Sequence, residues 1–321
     1  MKIVRGLRNI STPPKIPIVT LGNFDGTHVG HQAIFKQVLS RAEKLDGTSV
    51  VYTFDPHPLK ILAPEHSLSL LCSFKKKMEL IASYGIDMVV CADFTRAFAS
   101  LHPRDFAMKI YNGLKPETVI VGHDYSFGQG RAGSIEYLHK MGRELGFRLE
   151  VVEPVVMNDK RVSSTLIRNL LSRGEVASAN NLLNRCYSID GRVVSGYKRG
   201  KSLGFPTANL DTPFEVIPAV GVYSVYVRAA DTIKLLDGVA NIGYNPTFNR
   251  DDLIVEVHIL DFEGDFYGSE LELYFVDRLR DEKSFNGVEE LKSQIARDVN
   301  KTREILDEYR LSDHCVDPRI T

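Results

Sequence analysis

The sequence predicts an α/β half built on a parallel sheet, followed by a small antiparallel barrel or sandwich with a closing helix. Three observations carry that expectation. Short Val- and Ile-rich runs alternate with helix-period segments up to about residue 186, closely spaced strand-like segments follow, and the last long segment returns to helical period. In the first half, residues 16–21 form a buried strand, after which Ile34, Val38, Leu39, Ala42 and Leu45 recur at the spacing of an amphipathic helix. Residues 49–54, 87–91, 118–121 and 148–153 supply further strands, with helices between them. Such short apolar runs suit strands covered on both faces. In the second half the strands fall at 187–194, 222–228, 236–242, 253–260 and 271–276. Alternation is clearest in Val222-Tyr223-Ser224-Val225-Tyr226-Val227, where successive side chains face opposite sides of a sheet. Over 288–309, Leu291, Ile295, Val299, Leu306 and Tyr309 lie near one helical face and form the closing helix. The change of pattern places a domain boundary near Arg185, giving domains 1–185 and 186–321.

At 321 residues the chain has room for two moderate domains, and a composition of 43% hydrophobic and 25% charged residues excludes disordered and fibrous classes. The 40 Lys plus Arg against 41 Asp plus Glu leave a net charge of -1, which provides no global field for a nucleic-acid backbone or an anionic membrane. Neither partner is expected. Cys72, Cys91, Cys186 and Cys315 form no C-x-x-C pair, so neither a zinc knuckle nor a redox dithiol is expected. Pro13, Pro14, Lys15 and Pro17 interrupt the first residues, leaving no apolar stretch of signal-peptide length. No segment approaches the roughly 20 apolar residues of a membrane span. The expected location is the reducing cytoplasm.

The strongest local signal is Gly22-Asn23-Phe24-Asp25-Gly26-Thr27-His28-Val29-Gly30-His31, which joins the first strand to the first helix. Glycines there let a ligand approach the backbone, N–H groups at a helix start attract anions, and His28 and His31 can donate to the same phosphate. The plainer reading makes the two histidines surface or capping residues. The loop's place at the carboxyl end of a strand, where open α/β sheets bind ligands, favours nucleotide binding. Ser163-Ser164-Thr165-Leu166-Ile167-Arg168 sets candidate N-caps before a cation one turn into a helix, where Arg168 opposes the dipole unless an anion is bound.

Two apparent fingerprints mislead. Gly128-Gln129-Gly130-Arg131-Ala132-Gly133 matches G-x-G-x-x-G, but residues 124–127 separate it from the preceding strand, and the first strand-to-helix turn belongs to the histidine loop. It is read as a ligand-facing loop before a helix starting at Ser134, with no NAD inferred. Gly196-Tyr197-Lys198-Arg199-Gly200-Lys201-Ser202 resembles a Walker A loop, yet it has three residues between its glycines where four are required. Pro206 would also stop the helix that a P-loop feeds. A phosphate-binding loop remains, and a P-loop NTPase does not. Thr207 and Asn209 then place two short oxygen-bearing side chains on one face of an extended segment, suited to Mg2+ shared with phosphates; a turn residue and a strand hydroxyl are the plain alternative. Glu256 interrupts the apolar run Val255-Glu256-Val257-His258-Ile259, either as a solvent-facing strand residue or, near a nucleotide, as a general base.

Together these motifs resemble the bifunctional riboflavin kinase/FMN adenylyltransferase family, the prokaryotic FAD synthetases, over about residues 16–306. The resemblance also rests on Thr53-Phe54-Asp55-Pro56-His57-Pro58, Asn241-Ile242-Gly243-Tyr244-Asn245-Pro246-Thr247, Phe266-Tyr267-Gly268 and Leu279-Arg280-Asp281-Glu282-Lys283-Ser284-Phe285. It implies a Rossmann-like nucleotidylyltransferase domain at 1–185 and a flavokinase β-barrel at 186–321. Their substrates would be riboflavin, FMN and ATP, with Mg2+ as cofactor and FMN and FAD as products. By the same resemblance Gly22, Phe24, Asp25, Gly26, His28, His31, Asp124, Ser164, Thr165 and Arg168 would bind the ATP used for adenylylation. His28, His31 and Arg168 would act on its phosphates. His57, Pro58, Phe127, Gly128 and Arg131 would bind flavin. In the kinase, Gly196, Gly200, Lys201, Gly204, Thr207 and Asn209 would bind ATP, Thr207 and Asn209 would hold Mg2+, and Glu256 would be the base. Three places depart from the family's usual pattern: Cys186 replaces Pro, Lys201 replaces Arg and loses its planar fork, and Tyr125-Ser126 replaces Phe-Arg, removing a cation from the adenylylation side.

Overall fold

Strand burial sets the architecture of the first compact unit, Met1–Ser69 with Phe74–Ser163. The computed structural model describes all residues except 66–67, 196–203, 231, 233, 245–252, 265, 313–315 and 320–321. The strands of the first unit are β1 (Lys2–Arg5), β2 (Pro17–Leu21), β3 (Thr48–Asp55), β4 (Met88–Asp93), β5 (Thr118–Gly122) and β6 (Arg148–Val152), paired in parallel in the order β1-β4-β3-β2-β5-β6. β2 is buried along its whole length, as a strand covered on both faces must be. One face packs under α1 (Val29–Leu45) through Ile34, Phe35, Val38 and Ala42, and under α3 (Phe74–Ser83) through Met78 and Ile81. Between them in sequence comes the single-turn α2 (Pro58–Leu62). Beyond α4 (Arg96–Ala99), the opposite face is covered by α5 (Pro103–Leu114) and α6 (Ile135–Leu145), through Phe106, Ala107, Ile110, Leu138 and Met141. Ser134 caps α6 by accepting from Tyr137 N–H at 3.2 Å, which fixes the helix start where the sequence placed it. A small antiparallel pair, β7 (Val156–Met157) and β8 (Lys160–Arg161), follows. β1 was not foreseen: it is an edge strand in which only Val4 is buried, so it carries no apolar run to read.

The second unit, Leu70–Ser73 with Ser164–Thr321, contains a closed barrel, which decides between the barrel and the sandwich. Its strands are β9 (Tyr187–Val194), β10 (Ala208–Asp211), β11 (Gly221–Ala229), β12 (Leu236–Tyr244), β13 (Leu253–Ile259) and β14 (Glu270–Arg280), in the order β10-β13-β12-β11-β14-β9. The fully buried Ile189, Val225, Ala240, Ile242, Val257, Leu273 and Phe275 share one face through the cross-strand register and fill the interior. The helices α7 (Ser164–Leu171) and α8 (Val176–Leu183) group with this unit. The closing helix is α9 (Val288–Leu311). Its most buried stripe is Gln294, Asp298, Thr302 and Leu306, at strict four-residue spacing, and it is more polar than the expected face. The reason is a partner at the end of β14: Arg280 grips Asp298 with Nε at 3.1 Å and Nη2 at 2.8 Å, while Gln294 donates to Asp298 at 2.7 Å.

Asn180 fastens α8 to the barrel. Its amide donates to the Phe275 carbonyl at 2.8 Å, and its oxygen accepts from Tyr187 N–H at 2.7 Å, both buried. Asn180→Ala leaves both backbone groups without these partners, and the expected loss is about 2–4 kcal/mol of stability in the second unit, read by urea denaturation of the whole chain.

Candidate active sites

In the sheet order β2 lies between β3 and β5, so successive connections leave it toward opposite sides and a crevice opens at the carboxyl ends of β2 and β5. The histidine loop follows β2. Within it Phe24 (φ 53°), Gly26 (φ 76°) and Thr27 (φ 43°) adopt left-handed backbone, a concentration of strain of the kind that collects at functional sites. Packing holds it in place. Phe24 is 1% exposed, tilted against Phe35 at 5.0 Å between centroids and edge-on to His31 at 5.3 Å. A Cβ on Gly22 would come within 2.8 Å of the Phe24 ring, so only glycine admits this ring position. Thr27 Oγ1 donates to the Phe24 carbonyl at 3.3 Å, and Gln32 donates to the Thr27 carbonyl at 3.0 Å. Asp25 and His28 are buried.

His28 is the N-cap residue of α1, and its ring stacks on that of His31 with centroids 3.6 Å apart. His31 Nδ1 is sealed from solvent with no hydrogen-bond partner. Burial first, then His28, then Lys77 hold the His31 imidazole well below its usual range. At neutral pH His31 is therefore an uncharged ring. Across the crevice Asp124 stands two residues beyond β5, and a Cβ on Gly122 would meet Ile34 of α1 at 3.5 Å and Asp124 Oδ1 at 3.6 Å.

The residues expected at flavin occupy the neighbouring loops. His57 is the N-cap of α2, its Nδ1 accepting from Leu59 N–H at 3.2 Å, and Pro58 opens the helix. Phe127 pairs with Gly133 across a short bridge and packs on Phe106 at 5.2 Å and Tyr125 at 5.7 Å. Gly128 has φ 72°, and a Cβ there would lie 2.9 Å from Pro103. Arg131 Nε donates to Ser126 Oγ at 2.7 Å. Arg131 thus sets a cation beside Ser126.

Ser164 and Thr165 begin α7, which has only eight residues. Arg168 consequently falls in its last turn, where a cation suits the dipole. The argument that Arg168 opposes the dipole, and so implies a bound anion, does not hold for this helix.

In the second unit Asn209 on β10 and Asn241 on β12 are the direct cross-strand partners of Glu256 on β13. Opposed residues share a face, and the alternate positions Val255 and Val257 point into the barrel, so this polar row lies outside it. Asn209 is buried, Glu256 half-buried and Thr207, just ahead of β10, exposed. His258 Nδ1 donates to the Pro206 carbonyl at 2.8 Å and its ring meets Phe205 edge-on at 5.5 Å, which pins the approach from Gly204 to Thr207 onto β13. Gly196, Gly200 and Lys201 lie outside the described residues, as do Asn245, Pro246 and Thr247. The oxygens of Thr207 and Asn209 are hard donors that fit Mg2+. Among the described residues no group of three His, Cys, Asp or Glu could hold a metal.

A family described as FAD synthetase matches residues 11–166, and one described as riboflavin kinase matches 183–306. The bifunctional riboflavin kinase/FMN adenylyltransferase of Escherichia coli is 37% identical over 306 residues, spanning 95% of this chain and 97% of the relative. The protein of the same description from Buchnera aphidicola is 35% identical over 302 residues, spanning 93% and 96%. The chain belongs to the bifunctional riboflavin kinase/FMN adenylyltransferase family. It phosphorylates riboflavin to FMN with ATP, and with ATP it adenylylates FMN to FAD and pyrophosphate. A solved Streptococcus pneumoniae structure, described as a macrolide-efflux protein, shares the fold with a TM-score of 0.86 at 32% identity, spanning 94% of this chain and 98% of that one. No helix among the described residues of this family member is long and apolar enough to cross a membrane.

Two features of this riboflavin kinase/FMN adenylyltransferase escaped the sequence reading. Asn241 was quoted without a role, because its neighbour Glu256 is 15 residues away in the chain and only strand register joins them. Lys77 reaches the histidine site from α3; its signal was present, since Phe74, Lys77, Met78 and Ile81 fall on one helical face and a lysine there is out of place. The depressed His31 makes stability pH-dependent. The unfolded chain takes up its proton near pH 6.5 and the folded one only at lower pH, so stability is full above that value and falls as pH drops into the window below it. Melting curves of wild type and His31→Gln from pH 7.5 to 5 should diverge, the wild type losing up to about 1.4 kcal/mol more per pH unit below pH 6.5.

Proposed function

We propose that residues 1–185 carry out adenylylation and residues 186–321 the phosphorylation of riboflavin, each with its own residue set. The observation that carries this reading is the contrast between the two sites: stacked imidazoles at a strained loop in one, and a carboxylate flanked by two amides on a strand face in the other. The reactions differ in the same way. In the kinase step the ribityl 5'-hydroxyl loses a proton as it attacks the γ-phosphorus of ATP, and Glu256 accepts that proton. In the adenylyl step the FMN phosphate, with a second pKa of about 6, is already largely dianionic, so no base is needed. That site has to align the reactants and offset negative charge on the α-phosphate and departing pyrophosphate.

His28 and His31 serve as donors to the ATP phosphates, supported by their place at the N-terminus of α1 and the carboxyl end of β2. Gly22, Phe24, Asp25, Gly26 and Asp124 shape the nucleotide pocket, while His57, Pro58, Phe127, Gly128 and Arg131 contact the flavin. Ser164, Thr165 and Arg168 are assigned to the ATP phosphates on the family pattern. The FAD synthetase match ends at residue 166, so it includes Ser164 and Thr165 but not Arg168. In the kinase, Gly196, Gly200, Lys201 and Gly204 are assigned to ATP on the family pattern, and Thr207 and Asn209 would hold Mg2+. The ion, when bound, offsets charge developing on the phosphoryl oxygens.

Chromatography of flavins from riboflavin, ATP and Mg2+ should show FMN first and FAD later. Glu256→Gln should slow FMN formation by about 100-fold or more while FAD formation from supplied FMN is retained; equal loss of both activities would contradict separate sites. His31→Ala should remove FAD formation and leave FMN formation intact, and an unchanged rate of FAD formation would refute its role.

A further inference from the structure

Lys77 is 8% exposed, in a protein interior where an ammonium persists only with acceptors around it. Its Nζ donates to the Phe54 carbonyl at 3.1 Å, and lies 3.4 Å from both Thr53 Oγ1 and the Asn23 carbonyl. Thr53 Oγ1 in turn donates to the Asn23 carbonyl at 3.2 Å. The acceptors belong to two different segments. Asn23 is the second residue of the histidine loop, five residues before His28, whereas Phe54 sits at the end of β3, three residues before His57. The ammonium therefore spans the carboxyl ends of the adjacent strands β2 and β3 and holds both departing loops by their backbone carbonyls. Because it binds main-chain oxygens, the tie does not depend on which side chains those loops carry.

We propose that Lys77 is a positioning residue for FMN adenylylation, fixing the loop that holds the ATP phosphates against the loop that holds the flavin. The proposal rests on the assignment of those two loops given above. In the reaction a phosphate oxygen of FMN attacks the α-phosphorus of ATP, the new P–O bond forms as the α–β bridge breaks, and pyrophosphate leaves with the bonding pair. No proton changes hands. The rate then depends on in-line alignment of two substrates held by separate loops, and a misplacement of about 1 Å is enough to cost about 100-fold. A tie between the loops acts on that alignment without touching either reactant. The same cation also contributes, after burial and His28, to keeping His31 uncharged.

The test is Lys77→Met in the full chain, with FAD formation measured from supplied FMN and FMN formation measured from riboflavin in parallel. The expected result is a fall of about 100-fold in kcat for FAD formation, with the KM values for ATP and FMN changed by less than about threefold and riboflavin phosphorylation unaltered. An unchanged kcat, or a rise in KM alone, overturns the proposal. If Lys77→Met does not fold, Lys77→Gln keeps a donor, one bond shorter and without the charge. Folded Gln enzyme with wild-type kcat overturns the proposal equally, and an intermediate kcat at unchanged KM supports it. His31→Ala separates the two levels of argument: retention of FAD formation in that variant removes the loop assignment itself, whereas its loss beside an unimpaired Lys77→Met removes only the role of Lys77.

Discussion

The first unit's chemistry depends on one choice of neighbours, that of β2 between β3 and β5. With β3 on one side, the loop after β2 lies beside Thr53 and Phe54, within reach of a single ammonium. With β5 on the other, it faces the segment that carries Asp124 and Phe127. Any other strand order would scatter these loops. Strain in the loop follows from the same constraint, because the chain must turn from a fully buried strand directly into α1. Burial of Phe24 and the bare Gly22 beneath it hold the left-handed backbone that results.

The second unit solves a different problem. Its barrel interior is packed with fully buried side chains, among them Ile189, Val225, Ala240, Ile242, Val257, Leu273 and Phe275. Polar side chains fall on the outward face, where every second residue points away from that core. Glu256 is there because it alternates with Val255 and Val257, and Asn209 and Asn241 join it because antiparallel register opposes all three. The polar row is a consequence of closing the barrel. Along β12 the same alternation leaves Ala240 and Ile242 inside and Asn241 outside.

How much of this could be read from the sequence follows the range of the interactions. The buried strands β2 to β5, the start of α6 at Ser134 and the turn carrying His28 and His31 were all legible, because apolar runs and caps are written in adjacent residues; β6 was legible as a strand, but it lies at the sheet edge with no residue buried, unlike the strand covered on both faces that its apolar residues suggested. β1 was not, since its stability comes from pairing with β4 and only Val4 is buried. On α9 the apolar residues Leu291, Ile295 and Val299 suggested the inward face, but the most buried line runs through Asp298, whose partner Arg280 is visible only in three dimensions. The reading of Arg168 failed for a different reason: where a helix ends decides whether a cation opposes or suits its dipole, and the stop signal, Gly174 with left-handed backbone (φ 75°) beside the Glu175 N–H to Leu170 carbonyl bond, was present in the sequence but passed over. Asn241 and Lys77 act across strands and so left, at most, a polar residue in an unexpected place.

The stacked histidines show how the electrostatics of the first site follow from its packing. Two protonated imidazoles at a ring separation of 3.6 Å would repel by about 4–5 kcal/mol at an effective dielectric of about 20. Lys77, already a cation, adds to that cost. Burial, His28 and Lys77 together therefore keep the His31 ring uncharged.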